Sequence, residues 1–365
     1  MKIIFDIGHP AHVHYFKYSI KHFLNQGYEV TVLARNRYPV QELLRSANIE
    51  FIDRGYGRNS KLGKFLYMLF IDLRILLICL RKRPDLYVSF GAIYLTHVAW
   101  LMRKPSIFLD DTDNNLLNRK FYIPFASHIL TPDVYRHDLG SKHLRFKGYM
   151  ELAYLHPRVN TRDESILHDL GLVEGEIFSV VRFVNWNASH DYGHYGISNE
   201  NKVRIVKKLE EYGKVFITSE KNLPKEIAHN ALKISPNRIH SLMSYSSLLF
   251  GESATMASES AVLGVPAIYI DNDGRCYTDE LEHAFGMVYN YDETEQGQAE
   301  ALSKACEILE KHDVSKYAIK SKEILKSKIS FSDFLIWLIE KYPKSISKLS
   351  SDTDYQDQFI FPYED

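Results

Sequence analysis

The stretch Phe250-Gly-Glu-Ser-Ala-Thr-Met-Ala-Ser-Glu-Ser-Ala-Val-Leu-Gly-Val-Pro-Ala-Ile268 carries the signal that decides the fold. An apolar strand runs into Gly251, small polar residues follow, and a helix starts near Ala254. The first turn of such a helix presents unpaired backbone N–H groups and the positive end of its dipole to a phosphate. Ala254, Thr255 and Met256 occupy that turn, and the hydroxyls of Ser253 and Thr255 add donors. Glu259 lies about one turn further in, where a carboxylate can accept from both hydroxyls of a ribose. Leu263-Gly264-Val265-Pro266 then leads into another apolar strand. The plain alternative is a strand-turn-helix with a serine cap, which any α/β protein has.

Outward from this segment, strands and helices alternate in both directions. Short apolar runs predict strands at 2–7, 29–34, 50–53, 86–90, 106–109, 127–130 and 144–146. Helical stretches at 13–25, 41–47, 61–82 and 96–102 lie between them, the first stopped by Gly27. The rhythm restarts after Pro157, with strands at 177–182, 215–218, 247–250 and 266–270 and helices at 199–212, 239–245, 254–263 and 298–311. Such alternation predicts parallel sheets covered on both faces. With 365 residues the chain is too long for one core. The division expected is 1–157, 158–330, and a returning helix with an acidic tail over 331–365, the tail mobile up to its aromatic end.

The Phe250–Ile268 segment resembles the nucleotide-sugar motif in the second domain of GT-B glycosyltransferases and of the non-hydrolysing nucleotide-sugar 2-epimerases. There, small polar residues face the diphosphate, a glutamate holds the ribose, and Leu-Gly-x-Pro leads to the next strand. The matching residues are Ser253, Thr255, Glu259 and Leu263-Gly264-Val265-Pro266.

The first loop, Asp6-Ile-Gly-His-Pro-Ala-His-Val-His-Tyr-Phe16, places three histidines at the end of the first strand. In an open parallel sheet, ligands bind at the carboxyl ends of strands. An imidazole titrates near neutrality and suits a general base. Ala11-His-Val-His-Tyr15 looks like the Gly-His-Val-x-Pro pattern of GT-B enzymes, whose loop histidine faces the acceptor; the resemblance makes His12 the base candidate. Asp6 can orient an imidazole. Two other readings stand beside this one. His9, His12 and His14 can ligate zinc, although the usual zinc spacings are absent, or they cap the first helix and fill polar gaps.

The third dense segment is Val181-Arg-Phe-Val-Asn-Trp-Asn-Ala-Ser-His-Asp-Tyr-Gly-His-Tyr-Gly196. Arg182 can pair with a diphosphate, Trp186 can stack on a base or sugar, and Ser189, His190 and Asp191 can bind sugar hydroxyls or assist proton transfer. A loop made sticky for domain contact is the alternative. Together with the Asp6-Ile-x-x-Pro-x-His-Val-His opening and the Ser253–Pro266 segment, this run resembles an uncharacterised prokaryotic domain-of-unknown-function family. That resemblance extends to about residue 340 and implies a fold more than a reaction. Asp110-Asp-Thr-Asp113 clusters carboxylates at another strand end, as a solvated turn or as a second base at Asp110. Glu151 stands at the hinge.

Composition removes several classes. Lys+Arg is 45 against Asp+Glu 46, so no global basic field exists to hold nucleic acid. The apolar share of 45 % and charged share of 25 % exclude disorder as the overall state. Cys79, Cys276 and Cys306 are too scattered for a disulfide framework and fit a reducing compartment. No signal peptide is read at the N-terminus, and the run Phe65–Leu80 is short and interrupted by Asp72 and Arg74, so the protein is expected to be cytoplasmic. The cationic apolar helix over 61–83 is either a core helix or a patch for an anionic membrane surface.

The expectation is an α/β, GT-B-like architecture, with two Rossmann-like domains and parallel sheets facing across a cleft. What the resemblance implies is a metal-independent, inverting glycosyltransferase with no cofactor, moving a sugar from a UDP-sugar to a glycan or glycolipid acceptor. A nucleotide-sugar 2-epimerase and a non-catalytic nucleotide-sugar or glycan-binding protein are the rivals.

Overall fold

Alternation of buried apolar runs with helical stretches produces two α/β units in the computed structural model, which describes residues 1–56, 61–114, 116–184 and 195–361, with backbone alone over 61–66. The first unit comprises Met1–Tyr154 and Lys328–Phe361, and the second Leu155–Ser327.

Unit 1 holds β1 (Lys2–Ile7), α1 (Pro10–Asn25), β2 (Glu29–Ala34), α2 (Val40–Ser46), β3 (Ile52–Asp53), α3 (Lys61–Lys82), β4 (Leu86–Phe90), α4 (Ile93–Leu101), β5 (Ser106–Leu109), α5 (Leu116–Tyr122), β6 (His128–Pro132) and β7 (His143–Phe146). Its sheet runs β3-β2-β1-β4-β5-β6-β7, with neighbouring strands parallel. Ile3, Ile4, Phe5 and Ile7 are all buried, as a strand covered on both faces requires. A side chain of that size contributes about 1.5–3 kcal/mol on full burial. α1 begins earlier than the apolar periodicity predicts. His9 caps it by accepting from the Ala11 N–H, and Pro10 brings a preset φ to the first turn. His12 and His14 therefore sit on a helix and not in a loop. Gly27, at φ +76°, ends the helix in the left-handed conformation.

Unit 2 holds α6 (Ser165–Asp169), β8 (Phe178–Phe183), α7 (Asn199–Glu210), β9 (Lys214–Ser219), α8 (Ile239–Met243), β10 (Leu248–Gly251), α9 (Ala254–Val262), β11 (Ala267–Ile270), α10 (Cys276–His283), β12 (Val288–Tyr291), α11 (Glu295–Lys311) and α12 (Val314–Ser327). Its sheet runs β12-β11-β10-β8-β9, again with neighbouring strands parallel.

Each strand order reverses once, between β1 and β4 in unit 1 and between β8 and β10 in unit 2. These switch points open a crevice at the carboxyl ends of the strands, the usual ligand position in such sheets.

The chain returns to unit 1 through α13 (Phe331–Glu340) and α14 (Lys344–Ser351). The acidic tail expected to be mobile is pinned as far as the 3₁₀ turn Thr353–Phe359. Trp337 packs on Tyr355 and Phe359 at ring separations of 5.2 and 5.5 Å, and Lys147 bonds Asp354 and Asp357, each at 2.8 Å. Aromatic burial and paired acids overcome a composition that reads as loose. No helix of the described residues is long and apolar enough to cross a membrane.

Candidate functional site

At the switch point of unit 2, Arg182, next to the last residue of β8, pairs in register with Gly251, the last residue of β10. A Cβ at Gly251 would stand 2.2 Å from the Arg182 carbonyl oxygen, so the close approach of the two strands admits only glycine. The Glu252 N–H donates to that same carbonyl at 3.0 Å. Ser253 caps α9, its Oγ accepting from the Met256 N–H at 3.3 Å. Ala254 and Thr255 hold the first turn, whose N–H groups have no partner within the helix.

Glu259 is only 5 % exposed. Its Oε1 lies 2.9 Å from Nε2 of His240, the second residue of α8. A carboxylate buried this deeply is held by a specific partner, and His240 supplies one. Arg182 is engaged as well, its Nη2 2.6 Å from Oε1 of Glu220.

Two more buried carboxylates fix the chain on either side of residues 185–194. Glu252 accepts from the Val184 N–H at 2.9 Å and the Ile197 N–H at 2.7 Å. Glu293 accepts from the N–H groups of Tyr195 and Gly196, at 2.6 and 2.8 Å. Charge-assisted bonds of this kind are about twice as strong as neutral ones.

At the switch point of unit 1, the His12 ring packs tilted against Phe90, the last residue of β4, with ring centroids 4.9 Å apart. Its Nδ1 accepts from the Gly8 N–H at 3.3 Å. That bond selects the neutral tautomer with the proton on Nε2. Burial, reinforced by His9, Arg54 and Arg37, lowers the His12 imidazole well below its ordinary range. His9 lies 5.8 Å from His12, and the buried His14 packs 5.0 Å from the Tyr154 ring. Asp6 is wholly buried, with Oδ1 2.7 Å from Nε of Arg54. Burial pushes its carboxyl up, and the guanidinium opposes that shift.

Asp110 follows β5. Its Oδ1 accepts from the Thr112 N–H at 2.9 Å, and its Oδ2 from the hydroxyls of Tyr122 and Tyr135 at 2.8 and 3.2 Å. Burial raises this carboxyl too, against those donors. Among the described residues no group of three His, Cys, Asp or Glu side chains is placed to hold a metal ion.

A family match covers residues 1–295. The chain belongs to the family described as protein of unknown function (DUF354). A relative, the uncharacterized protein MJ0665 of Methanocaldococcus jannaschii, is 26% identical over 289 residues, covering 76% of this chain and 82% of that one. Among solved structures, S. aureus MnaA with UDP is similar at TM-score 0.71 and 12% identity, over 95% of this chain and 98% of that one. The Methanocaldococcus jannaschii UDP-GlcNAc 2-epimerase in complex with UDP-GlcNAc and UDP gives TM-score 0.62 at 12% identity, over 83% and 92%. The spinosyn rhamnosyltransferase SpnG complexed with spinosyn aglycone gives 0.62 at 12% identity, over 93% and 100%. The DUF354 chain thus has the GT-B-like α/β fold shared by epimerases and glycosyltransferases of nucleotide sugars.

Within this DUF354 protein, Gly251, Ser253, Ala254, Thr255, Met256, Glu259 and Arg182 gather at one switch point, and His9, His12 and Asp6 at the other. Two expected roles change. Asp6 faces Arg54 and not an imidazole, because a fully buried carboxylate takes the strongest available partner. Asp110 is neither a solvated turn residue nor an open base, since three donors occupy it. Arg182 is bound to Glu220. Trp186, Ser189, His190 and Asp191 lie outside the described residues. Glu151 is buried in the 3₁₀ turn Met150–Ala153. Sequence reading missed His240, Glu252, Glu293 and Arg54. Of these, only Glu252 stood inside a segment already singled out.

Proposed function

We propose that this DUF354 protein transfers a sugar from a UDP-sugar to a hydroxyl of a glycan or glycolipid, without a metal and with inversion at the anomeric carbon. The observation that carries the reading is the β10–α9 turn. It combines a strand junction too tight for any side chain, a capped helix N-terminus, and a buried carboxylate one turn in, fixed by His240. Backbone N–H groups of α9 meet the diphosphate, and Glu259 accepts from the ribose. Arg182 exchanges Glu220 for a phosphate oxygen and offsets the charge of the leaving group. The UDP held by the similar MnaA and 2-epimerase structures supports this donor class.

Unit 1 supplies the acceptor side. His12 is neutral there and takes the proton of the attacking hydroxyl through Nδ1 once the ring turns from the Gly8 N–H. At 3.3 Å that bond is long and easily released. The hydroxyl oxygen bonds to the anomeric carbon, the bond from that carbon to the diphosphate breaks, and UDP leaves.

The partner of unit 1 in this reading is an anionic membrane surface. Leu69, Phe70, Leu73, Leu77 and Leu80 of α3, Trp100 and Leu101 of α4, and Leu116, Leu117 and Phe121 of α5 are all exposed. His97 joins the three helices, bonding Asp72 at 3.0 Å and the Phe121 carbonyl at 2.8 Å. Arg81, Lys82, Arg83, Arg103 and Lys120 are exposed around this face. A second copy meeting the face about a two-fold axis would oppose like charges, whereas anionic lipid neutralises them.

Incubation with UDP-sugars, with and without an alcohol acceptor and followed by proton NMR, tests the activity. Acceptor-dependent release of UDP in the presence of chelator is expected. Change of the sugar without acceptor would replace transfer by 2-epimerisation, and binding without turnover would leave a nucleotide-sugar sensor.

A further inference from the structure

The carboxyl ends of β1, β2 and β3 lie side by side, and arginines crowd them. Arg35 follows β2, its N–H bonded to the Ile7 carbonyl at 2.9 Å. Arg54 follows β3, its N–H bonded to the Ala34 carbonyl at 2.8 Å. Arg37 lies two residues beyond Arg35. Arg54 is 3 % exposed and satisfied by Asp6. Arg35 is half-buried and Arg37 exposed, and neither has a carboxylate partner among the described residues. Burial, Arg37 and Arg54 together disfavour the Arg35 cation. The nearby acid Asp53 is already occupied by the Gly55 N–H and the Asn36 amide, at 2.7 and 3.0 Å. Against these three guanidinium groups stand the carboxylates of Asp6, paired with Arg54, and of Asp53, turned to neutral donors, so the place keeps a positive excess, with Arg35 and Arg37 unpaired among the described residues. Like charges held together out of water destabilise a fold unless an anion joins them.

Direction matters as much as charge. Gly8 has no side chain here, and a Cβ would stand 3.0 Å from Nη2 of Arg54. The β1–α1 turn therefore brings backbone against the guanidinium. His12 stands beside it with Nε2–H as a donor, and Arg54 also lies over the Tyr94 ring, 5.4 Å from its centroid. The grouping is rich in donors, its one buried carboxylate, Asp6, being already paired with Arg54, and it stands at the carboxyl end of the sheet beside the switch point.

We infer that Arg35, Arg37 and Arg54, with Gly8 and His12, form an anion subsite on unit 1 that takes a phosphate or diphosphate group of the acceptor. Arginine forks suit such oxygens. The subsite deepens the transferase reading by assigning a phosphorylated acceptor, and it stands apart from the donor turn at β10–α9. The phosphate can belong to a soluble sugar phosphate or to a lipid phosphate at a membrane.

The test is calorimetric titration of the full chain with inorganic pyrophosphate in the presence of saturating UDP. Wild type should bind. Arg35→Gln with Arg37→Gln should weaken pyrophosphate at least about tenfold, the loss of even one charge-assisted bond, while UDP affinity stays within about twofold. Arg35→Lys with Arg37→Lys should restore part of the loss. Both arginines are at least partly solvent-accessible, so the variants should fold, and circular dichroism checks this. Unchanged pyrophosphate affinity in the folded glutamine variant overturns the subsite. Equal loss of pyrophosphate and UDP overturns its separation from the donor. Absence of UDP binding in wild type would sink the donor reading alone, leaving the pyrophosphate comparison intact. A parallel titration with a short isoprenyl phosphate in neutral detergent micelles identifies the source. Tighter binding than pyrophosphate assigns a lipid phosphate, and equal or weaker binding a soluble one.

Discussion

At the β1–α1 turn the buried carboxylate Asp6 answers an arginine, whereas in unit 2 the buried carboxylates Glu252, at the β10–α9 turn, and Glu293, between β12 and α11, answer backbone N–H groups. Both turns stand at switch points of parallel sheets, and both open a helix. The difference lies in what remains for a ligand. In unit 2 these acids fix the main chain, and the proposed reading gives the diphosphate to the α9 N-terminus and the ribose to Glu259, which His240 already holds. In unit 1 the acid is consumed by one arginine of three, and cations with a neutral histidine remain. One topology thus yields two turns distinguished by how their buried charges are satisfied, and the proposed reading assigns one to the donor and the other to the acceptor.

The largest effect that sharpens this contrast falls on His12. His12→Ala should lower turnover about 10²–10⁴-fold, the usual loss of a general base. Calorimetry should show donor affinity unchanged, because the donor is assigned to the other unit. A matching loss of donor affinity would erase the division of labour between the turns.

Next in size is Glu252→Ala, which leaves the N–H groups of Val184 and Ile197 without their acceptor. An unsatisfied buried donor costs about 1–3 kcal/mol each, so thermal unfolding should shift down clearly. Glu220→Ala, which removes a half-exposed partner of Arg182, should change stability by less than about 1 kcal/mol.

The glycines of the two turns should also separate. Gly251→Ala places a Cβ against fixed backbone and should destabilise by about 1–3 kcal/mol or more. Gly8→Ala meets only the end of an arginine side chain and should cost less. Equal losses in denaturant unfolding would mean that the strand approach at Gly251 is not tight.

Much of this was legible in the sequence. Gly251 to Glu259 showed as a strand-turn-helix because its apolar run, small polar residues and Leu-Gly-x-Pro exit are all local. His9 and Pro10 signalled a helix start that the apolar periodicity placed later. The pairings were not legible. His240 reaches Glu259 from another helix, Arg54 reaches Asp6 across two strands, and Tyr122 and Tyr135 close on Asp110 from separate elements. Local spacing carries no trace of such contacts. The tail misled because its acids dominate its composition, while Tyr355 and Phe359 decide its position.

A further expected effect is a pH dependence. The His12 imidazole is lowered in the folded chain, so the unfolded chain binds a proton first as pH falls below about 6.5. Stability from this group is full above that value and declines as pH falls toward the folded pKa, by at most about 1.4 kcal/mol per pH unit. His12→Asn should flatten the stability curve measured by urea unfolding between about pH 6.5 and 5. An unchanged slope would show that His12 titrates normally.

The central claim is that the α9 turn of unit 2 holds a nucleoside diphosphate with Glu259 on the ribose. Calorimetric titration of wild type and Glu259→Ala with UDP tests it most directly. The account predicts binding by wild type and a loss of about 10–100-fold in the folded variant, the worth of charge-assisted bonds to ribose hydroxyls. Absence of heat with wild type, or equal affinity in the two proteins, would contradict it.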